Sequence, residues 1–307
     1  MARILLLVGL CVAAYAPTLT IPLMQDDYPL IAQSRTYGLP QLWSDATFRL
    51  RSTSFWSMHA VWASAGMAPA VYHAVSLLLH MIACVLLYEL AINWEPMRQG
   101  ALWAAAFFAF YERHQEAVMW FSAISELLMF VFGIAAMICW LRAARSAWWH
   151  VPGALLFALA LLSKESAVIF LPLFLLVRWK LDWGLAPYLG AGALAVASVV
   201  ESRANSFRFS DGSFSLAAPF WITLAHSTFR ILWVWGAVAI LFWMARKRSM
   251  RPVGLALVWI LVALLPYAWL TYSTAIPSRQ VYLASAGLAM LVGLAFQHLS
   301  EMTDRKL

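Results

Sequence analysis

"GALLFALALLSKESAVIFLPLFLL", residues 153–176, is either one long helix with a charged middle or two short helices meeting at "SKES". The choice decides the fold. Each half is short, since residues 151–163 make only about 20 Å of helix against a hydrocarbon core of about 30 Å. Charge on either side settles the matter. Arg142 and Arg145 precede the stretch, Arg178 and Lys180 follow it, and basic residues collect on the cytoplasmic face of a membrane. The chain must therefore cross an even number of times between them. Two short helices satisfy this and leave Lys164 and Glu165 below the outer membrane surface. Turns and charges at that depth need protein or a water-filled cavity around them, so a polar cavity is expected at the outer end.

The membrane itself follows from composition. Of 307 residues, 64% are hydrophobic and 11% charged, where a soluble domain averages roughly a quarter charged. Long unbroken apolar runs make the fold all-α, because lipid admits helices or closed barrels and a barrel would show short alternating segments. Apolar spans fall at 3–23, 69–92, 98–111, 117–141, 151–163, 166–179, 184–200, 217–244, 252–272 and 279–298. These about ten crossings put both termini in the cytoplasm. On that side lie Arg3, Arg98, Arg142, Arg145, Arg178, Lys180, Arg246, Lys247, Arg248, Arg251, Arg305 and Lys306, against Glu89, Glu95, Asp182, Glu301 and Asp304. The rest balance, so the net charge of +7 reflects orientation and is no nucleic-acid footprint.

Arg3, an apolar core and Ala14–Ala16 resemble a signal peptide. Pro17 and the apolar continuation to Leu23 favour an uncleaved first helix. The chain reads as one membrane domain, 1–307, with residues 1–200 as its principal module and 201–307 as more variable helices. A non-cytoplasmic loop, 24–68, carries "LPQLWSDATF" and "TSFWSMHAVWASAG", whose aromatics at helical spacing suit interfacial amphipathic helices. Cys11, Cys84 and Cys139 sit in apolar runs without a CxxC pair and read as small buried hydrophobes, with no zinc site or disulfide expected.

Four charged elements converge on the outer side: Asp26 and Asp27 in "QDDYPL"; Glu112, Arg113, His114 and Glu116 in "YERHQE"; Lys164 with Glu165; and Arg279 in "PSRQVYLAS". A plain structural role is open to each singly, as a helix cap, a loop residue, an ion pair or a snorkelling arginine. Together they suit group transfer from a lipid-linked phosphate. A carboxylate takes the proton of an attacking hydroxyl, and fixed cations hold the phosphate leaving group.

"QDDYPL", "YERHQEAVMW", "LLSKESAVIFLPLFLL" and "SRQVYLAS", with "RLRSTSFW" and "PAVYHAVSLLLH", together resemble the GT-C superfamily of integral membrane glycosyltransferases. The nearest relatives in motif order are the bacterial relatives of protein O-mannosyltransferases and the TPR-containing transmembrane O-mannosyltransferases. The likeness runs over roughly residues 20–180, with a weaker stretch at 277–290, and order and spacing carry it more than any one motif. It implies transfer of a sugar from a polyprenyl-phosphate donor to a hydroxyl on a protein, lipid or polysaccharide acceptor. The chain would lie in a bacterial inner membrane, its site facing the periplasm or exterior. Asp26 or Asp27 would be the catalytic base, with a slight preference for Asp27 toward the pocket, and Glu116 the second acidic position. Lys164, Arg279 and Arg113 would hold the donor phosphate, with Glu165, His114, Arg51, His73 and Tyr282 in support. Glu112-Arg113 stand where the family turn carries proline, and Arg51-Ser52 where it carries Arg-Pro. No cofactor is assigned. Some superfamily members use a divalent metal, which Asp26, Asp27 and Glu116 could hold. The alternatives are a transporter or flippase of lipid-linked sugars and a non-catalytic scaffold of the same fold.

Overall fold

The computed structural model describes residues 1–181, 183–202, 214–245 and 249–304, with side chains to residue 300. Asp182, Arg246, Lys247, Arg248, Arg305 and Lys306 from the charge argument lie outside the described residues, as do the side chains of Glu301 and Asp304. The described chain is helical, with one isolated bridge between Phe214 and Leu270.

In chain order the helices are α1 (Ala2–Tyr15), α2 (Asp27–Ser34), α3 (Gln41–Ser44), α4 (Ala46–Arg49), α5 (Ser52–Ala65), α6 (Pro69–Asn93), α7 (Ala101–Phe110) and α8 (Gln115–Met119). There follow α9 (Ile124–Arg142), α10 (His150–Leu161), α11 (Phe170–Val177), α12 (Ala186–Ser202), α13 (Phe220–Ala245), α14 (Arg251–Leu264) and α15 (Tyr282–Asp304). An apolar helix stands at each expected span. Among the described residues six segments are long and apolar enough to cross a membrane: Ala2–Thr20, Pro69–Asn93, Phe121–Arg142, Trp183–Ser202, Phe220–Ala245 and Ser278–Ser300. Ala147–Leu161, Glu165–Val177 and Arg251–Tyr267 are shorter apolar helices.

The break at "SKES" is real. Helix α10 ends at Leu161, Lys164 is extended (φ −161, ψ 137), and a 3-10 turn, Glu165–Ile169, leads into α11. The chain then returns to the end it left: Arg178, past the end of α11, donates to the Trp140 carbonyl at 2.9 Å in the last turn of α9. That carbonyl is one of the groups a helix terminus leaves unpaired, so the cation both satisfies it and opposes the helix dipole. Arg142 from the same turn reaches Glu89 on α6 at 3.7 Å. The even number of traversals argued from charge is thus what the geometry has.

Burial separates inner helices from peripheral ones. The apolar windows of Phe121–Arg142 and Ser278–Ser300 are 78% and 72% buried, whereas those of α1 and α13 are 22%. The first two are hydrophobic all round because protein surrounds them; the others present one side outward. Trp94, at the end of α6, is buried against Trp259. Between α7 and α15 the backbones approach closely: a Cβ on Gly100 would strike the Gly293 backbone, and one on Gly293 would strike Ala104 and Gly100. Small residues permit such contact where no hydrophobic effect drives helices together.

Candidate active site

Connectivity brings the C-terminal ends of α1, α7, α10 and α14 to the end of the bundle where α6, α9, α11 and α15 begin. Residues 116–126 form a spine across this end, and three of its side chains tie in other segments. Glu116 pairs with Arg279 through its Oε1 and accepts the Arg279 backbone N–H at Oε2 (3.0 Å). Ser122 donates to Asp27 Oδ1 from both its backbone N–H (2.7 Å) and its hydroxyl (2.5 Å). Glu126 pairs with Lys164 and accepts from the Tyr267 hydroxyl at 3.2 Å.

These contacts correct three expectations. Asp27 does not face the pocket. It is fully buried, and with Met24 N–H donating to its Oδ2 at 2.8 Å its carboxylate accepts three hydrogen bonds within the protein. Asp26 is the exposed member of the pair, and no side-chain hydrogen bond caps α2 from it. Gln25 before it has a positive φ of 39°, the left-handed region that L residues seldom adopt, and this sets the angle at which Asp26 leaves the chain. Lys164 is likewise turned inward, 3% exposed against 1% for Glu126, with its ammonium 4.8 Å from the Tyr267 ring centre. A buried, neutralised lysine is poorly placed to hold a donor phosphate. Third, Arg113 lines neither cavity described below; its electrostatic neighbours are Tyr111 and Arg230, on the α13 side.

Two cavities open at this end. The larger, about 660 Å³, has Leu30 and Gln33 of α2, Phe55, Val168, and Val196, Val199 and Val200 of α12 along its walls, with Phe214 above. Its polar pole is Arg51, which donates from Nε and a terminal nitrogen to the two oxygens of Glu165, each at 2.7 Å. Burial alone would pull the Arg51 guanidinium down; the charge and hydrogen bonds of Glu165 outweigh it and hold the group above its ordinary value. A guanidinium has five N–H groups, so donors remain after a two-bond fork with one carboxylate. The second cavity, about 540 Å³, is lined by Met24, Gln25, Gln115, Glu116, Met119 and Trp120. Trp120 brings an indole N–H without a hydrogen-bond partner, and Arg279 lies over its ring at 4.7 Å.

His73, His114 and Tyr282 are not at either cavity. All three are buried in the bundle. His114 Nε2 meets the Ser285 hydroxyl at 2.6 Å among Phe108, Tyr111 and Tyr282, and burial with His80 beside it pushes the imidazole well below its ordinary value. His73 has no hydrogen-bond partner at either ring nitrogen. Among the described residues Asp26, Asp27 and Glu116 do not gather their oxygens into a metal-sized group; the one such group is Cys11, His80 and Cys84, deeper in the bundle.

Sequence reasoning missed Glu126, Ser122 and Tyr267. For Glu126 the signal was present, as a carboxylate within an apolar span is a functional candidate by default. Nothing marks Ser122 or Tyr267, whose importance lies wholly in what they meet.

The fold, a polytopic helical bundle with a loop-bearing end, a charged spine and an apolar groove, is shared with a solved membrane protein. Among solved structures the chain is similar to ArnT from Cupriavidus metallidurans bound to undecaprenyl phosphate, with a TM-score of 0.58, 16% identity, and coverage of 98% of this chain and 61% of that one. Among curated proteins it is 30% identical over 189 residues to the protein O-mannosyl-transferase Tmtc1 of Drosophila melanogaster, spanning 60% of this chain and 20% of that protein's length. No protein-family model matches.

Proposed function

We propose that the chain is a glycosyltransferase that moves a sugar from a polyprenyl-phosphate donor to a hydroxyl acceptor at the outer face of a bacterial inner membrane, with ten crossings and both termini cytoplasmic. The observation that carries this is the position of Asp26. Met24 and Gln25 before it line the smaller cavity, while Leu30 and Gln33 after it line the groove. At 1.5 Å per helical residue, Asp26 stands about 6–10 Å from those groove residues along α2.

In this reading the polyprenyl tail lies along the valine wall of α12, and the donor phosphate meets the remaining N–H groups of Arg51. The acceptor enters by the second cavity, where the Trp120 N–H and the Glu116–Arg279 pair orient it. Its hydroxyl oxygen attacks the anomeric carbon as the bond from that carbon to the phosphate oxygen breaks. Asp26 takes the hydroxyl proton, and polyprenyl phosphate departs with the electron pair, stabilised by Arg51. Direct displacement inverts the anomeric centre. The bound lipid named for ArnT supports the donor class, and the name of Tmtc1 supports transfer to a hydroxyl.

The test is transfer of radiolabelled sugar from polyprenyl-phosphate donors by the purified chain in nanodiscs. Asp26→Asn is expected to lower turnover by about 10²–10⁴-fold with thermal melting unchanged. Full activity in Asp26→Asn would sink the assignment. Donor translocation across a bilayer with no transfer product would point to a flippase.

A further inference from the structure

His80 and Cys84 stand four residues apart on α6, on one face of the helix. Cys11 of α1 faces them. The two sulfurs are 3.5 Å apart and Cys84 Sγ lies 3.8 Å from His80 Nε2. All three ligand atoms fall within 4.8 Å of one another, and all three residues are fully buried. The cysteines are buried and free, as small apolar fillers would be, but two of them also meet over a histidine, which the sequence did not reveal.

We propose that Cys11, Cys84 and His80 bind one zinc ion inside the helical bundle. Tetrahedral zinc, with bonds of about 2.3 Å to sulfur and about 2.0–2.1 Å to nitrogen, holds its ligand atoms about 3.5–3.8 Å apart, which is the spacing of the two sulfurs and of Cys84 with His80. Charge selects the ion. Two thiolates and a neutral imidazole around a divalent cation sum to zero, which a site shut off from water among apolar helices requires. A monovalent soft cation leaves one negative charge uncompensated, and calcium or magnesium demands oxygen ligands. Binding releases two protons, one from each thiol, as two zinc–sulfur bonds form.

The surroundings fit a ligating histidine. A metal-bound imidazole donates its other ring N–H to a fixed partner, and His80 Nδ1 lies 2.6 Å from the Tyr282 hydroxyl. With Nε2 on the metal, Nδ1 carries the proton and donates to Tyr282, so Nε2 gives up its 3.1 Å contact with the Ala109 carbonyl. Tyr282 follows Arg279 by one short turn, Ser278–Val281. The ion would therefore staple α1 to α6 and fix, through His80 and Tyr282, the turn that presents Arg279. A water enclosed with the ion would complete the tetrahedron, and the site stands whether or not the proposed transfer reaction does.

The experiment uses the full chain purified in nanodiscs from zinc-supplemented cells, with metal counted by mass spectrometry. About one zinc per chain is expected, retained in C139S and lost in C11S and C84S. Cobalt(II) exchange should produce a thiolate-to-cobalt charge-transfer band in the wild type and C139S alone. Because C11S or C84S could misfold, the wild type itself is also melted with and without a zinc chelator, which should lower its melting temperature and leave C84S unmoved. Wild-type chain that holds no zinc and develops no cobalt band overturns the proposal. So does a Cys11–Cys84 disulfide, read as thiols that label only after reduction.

Discussion

Asp26–Asp27 in the first loop and Lys164–Glu165 between α10 and α11 are both pairs of adjacent charges, and the fold splits both in the same way. Asp27 goes inward to Ser122, Lys164 inward to Glu126. Asp26 stays exposed, and Glu165 turns to Arg51 on the groove, where the two side chains are 29% and 21% exposed. The physical reason is local geometry: neighbouring side chains in regular backbone point in different directions. One member of each pair anchors its loop to the spine, leaving Asp26 at the surface and Glu165 at the groove. Function and stability should therefore separate within a dipeptide, and substitutions can test whether they do.

Against the loss of turnover expected of Asp26→Asn, the largest effect on stability belongs to the buried partner of the second pair. Glu126→Gln takes the buried carboxylate from the Lys164 ammonium and should cost about 3–5 kcal/mol, seen as a lower melting temperature and poor recovery of folded protein. Replacing both Glu126 and Lys164 by Met should restore most of it; if the double variant is as unstable as the single, the pair is not what the charge balance describes. Asp27→Asn should follow, at about 1–3 kcal/mol for a buried acceptor that loses its charge-assisted bonds. A matching loss of turnover in a folded Asp27→Asn chain, with Asp26→Asn near normal, would exchange the roles assigned to the two. The smallest effect is on the groove. Arg51→Lys removes the fork geometry and should raise the KM for donor about tenfold with melting little changed.

How much of this the sequence carried depends on what each inference needed. The break at "SKES" was legible because membrane charge asymmetry acts on linear order, and order is what a sequence has. That Glu116 and Arg279 would share one end of the bundle was legible for the same reason. The pairing of charges was not. Lys164–Glu126 and Arg51–Glu165 depend on how helices distant in the chain cross, and no spacing within one helix encodes that. The preference for Asp27 over Asp26 failed because backbone hydrogen bonds from Met24 and Ser122 decide it, and a backbone N–H carries no mark of residue type. Cys11 and Cys84, 73 positions apart, are invisible as a pair for the same reason.

The meeting of Gly100 with Gly293 has a mechanical consequence. With no side chains between them at this point, the start of α7 and the middle of α15 touch along bare backbone. Gly293 lies about 21 Å along the chain from Arg279 at helical rise, near the opposite end of the bundle. The contact leaves no room for a Cβ at either glycine, so bare backbone sets how far α15 stands from its neighbour.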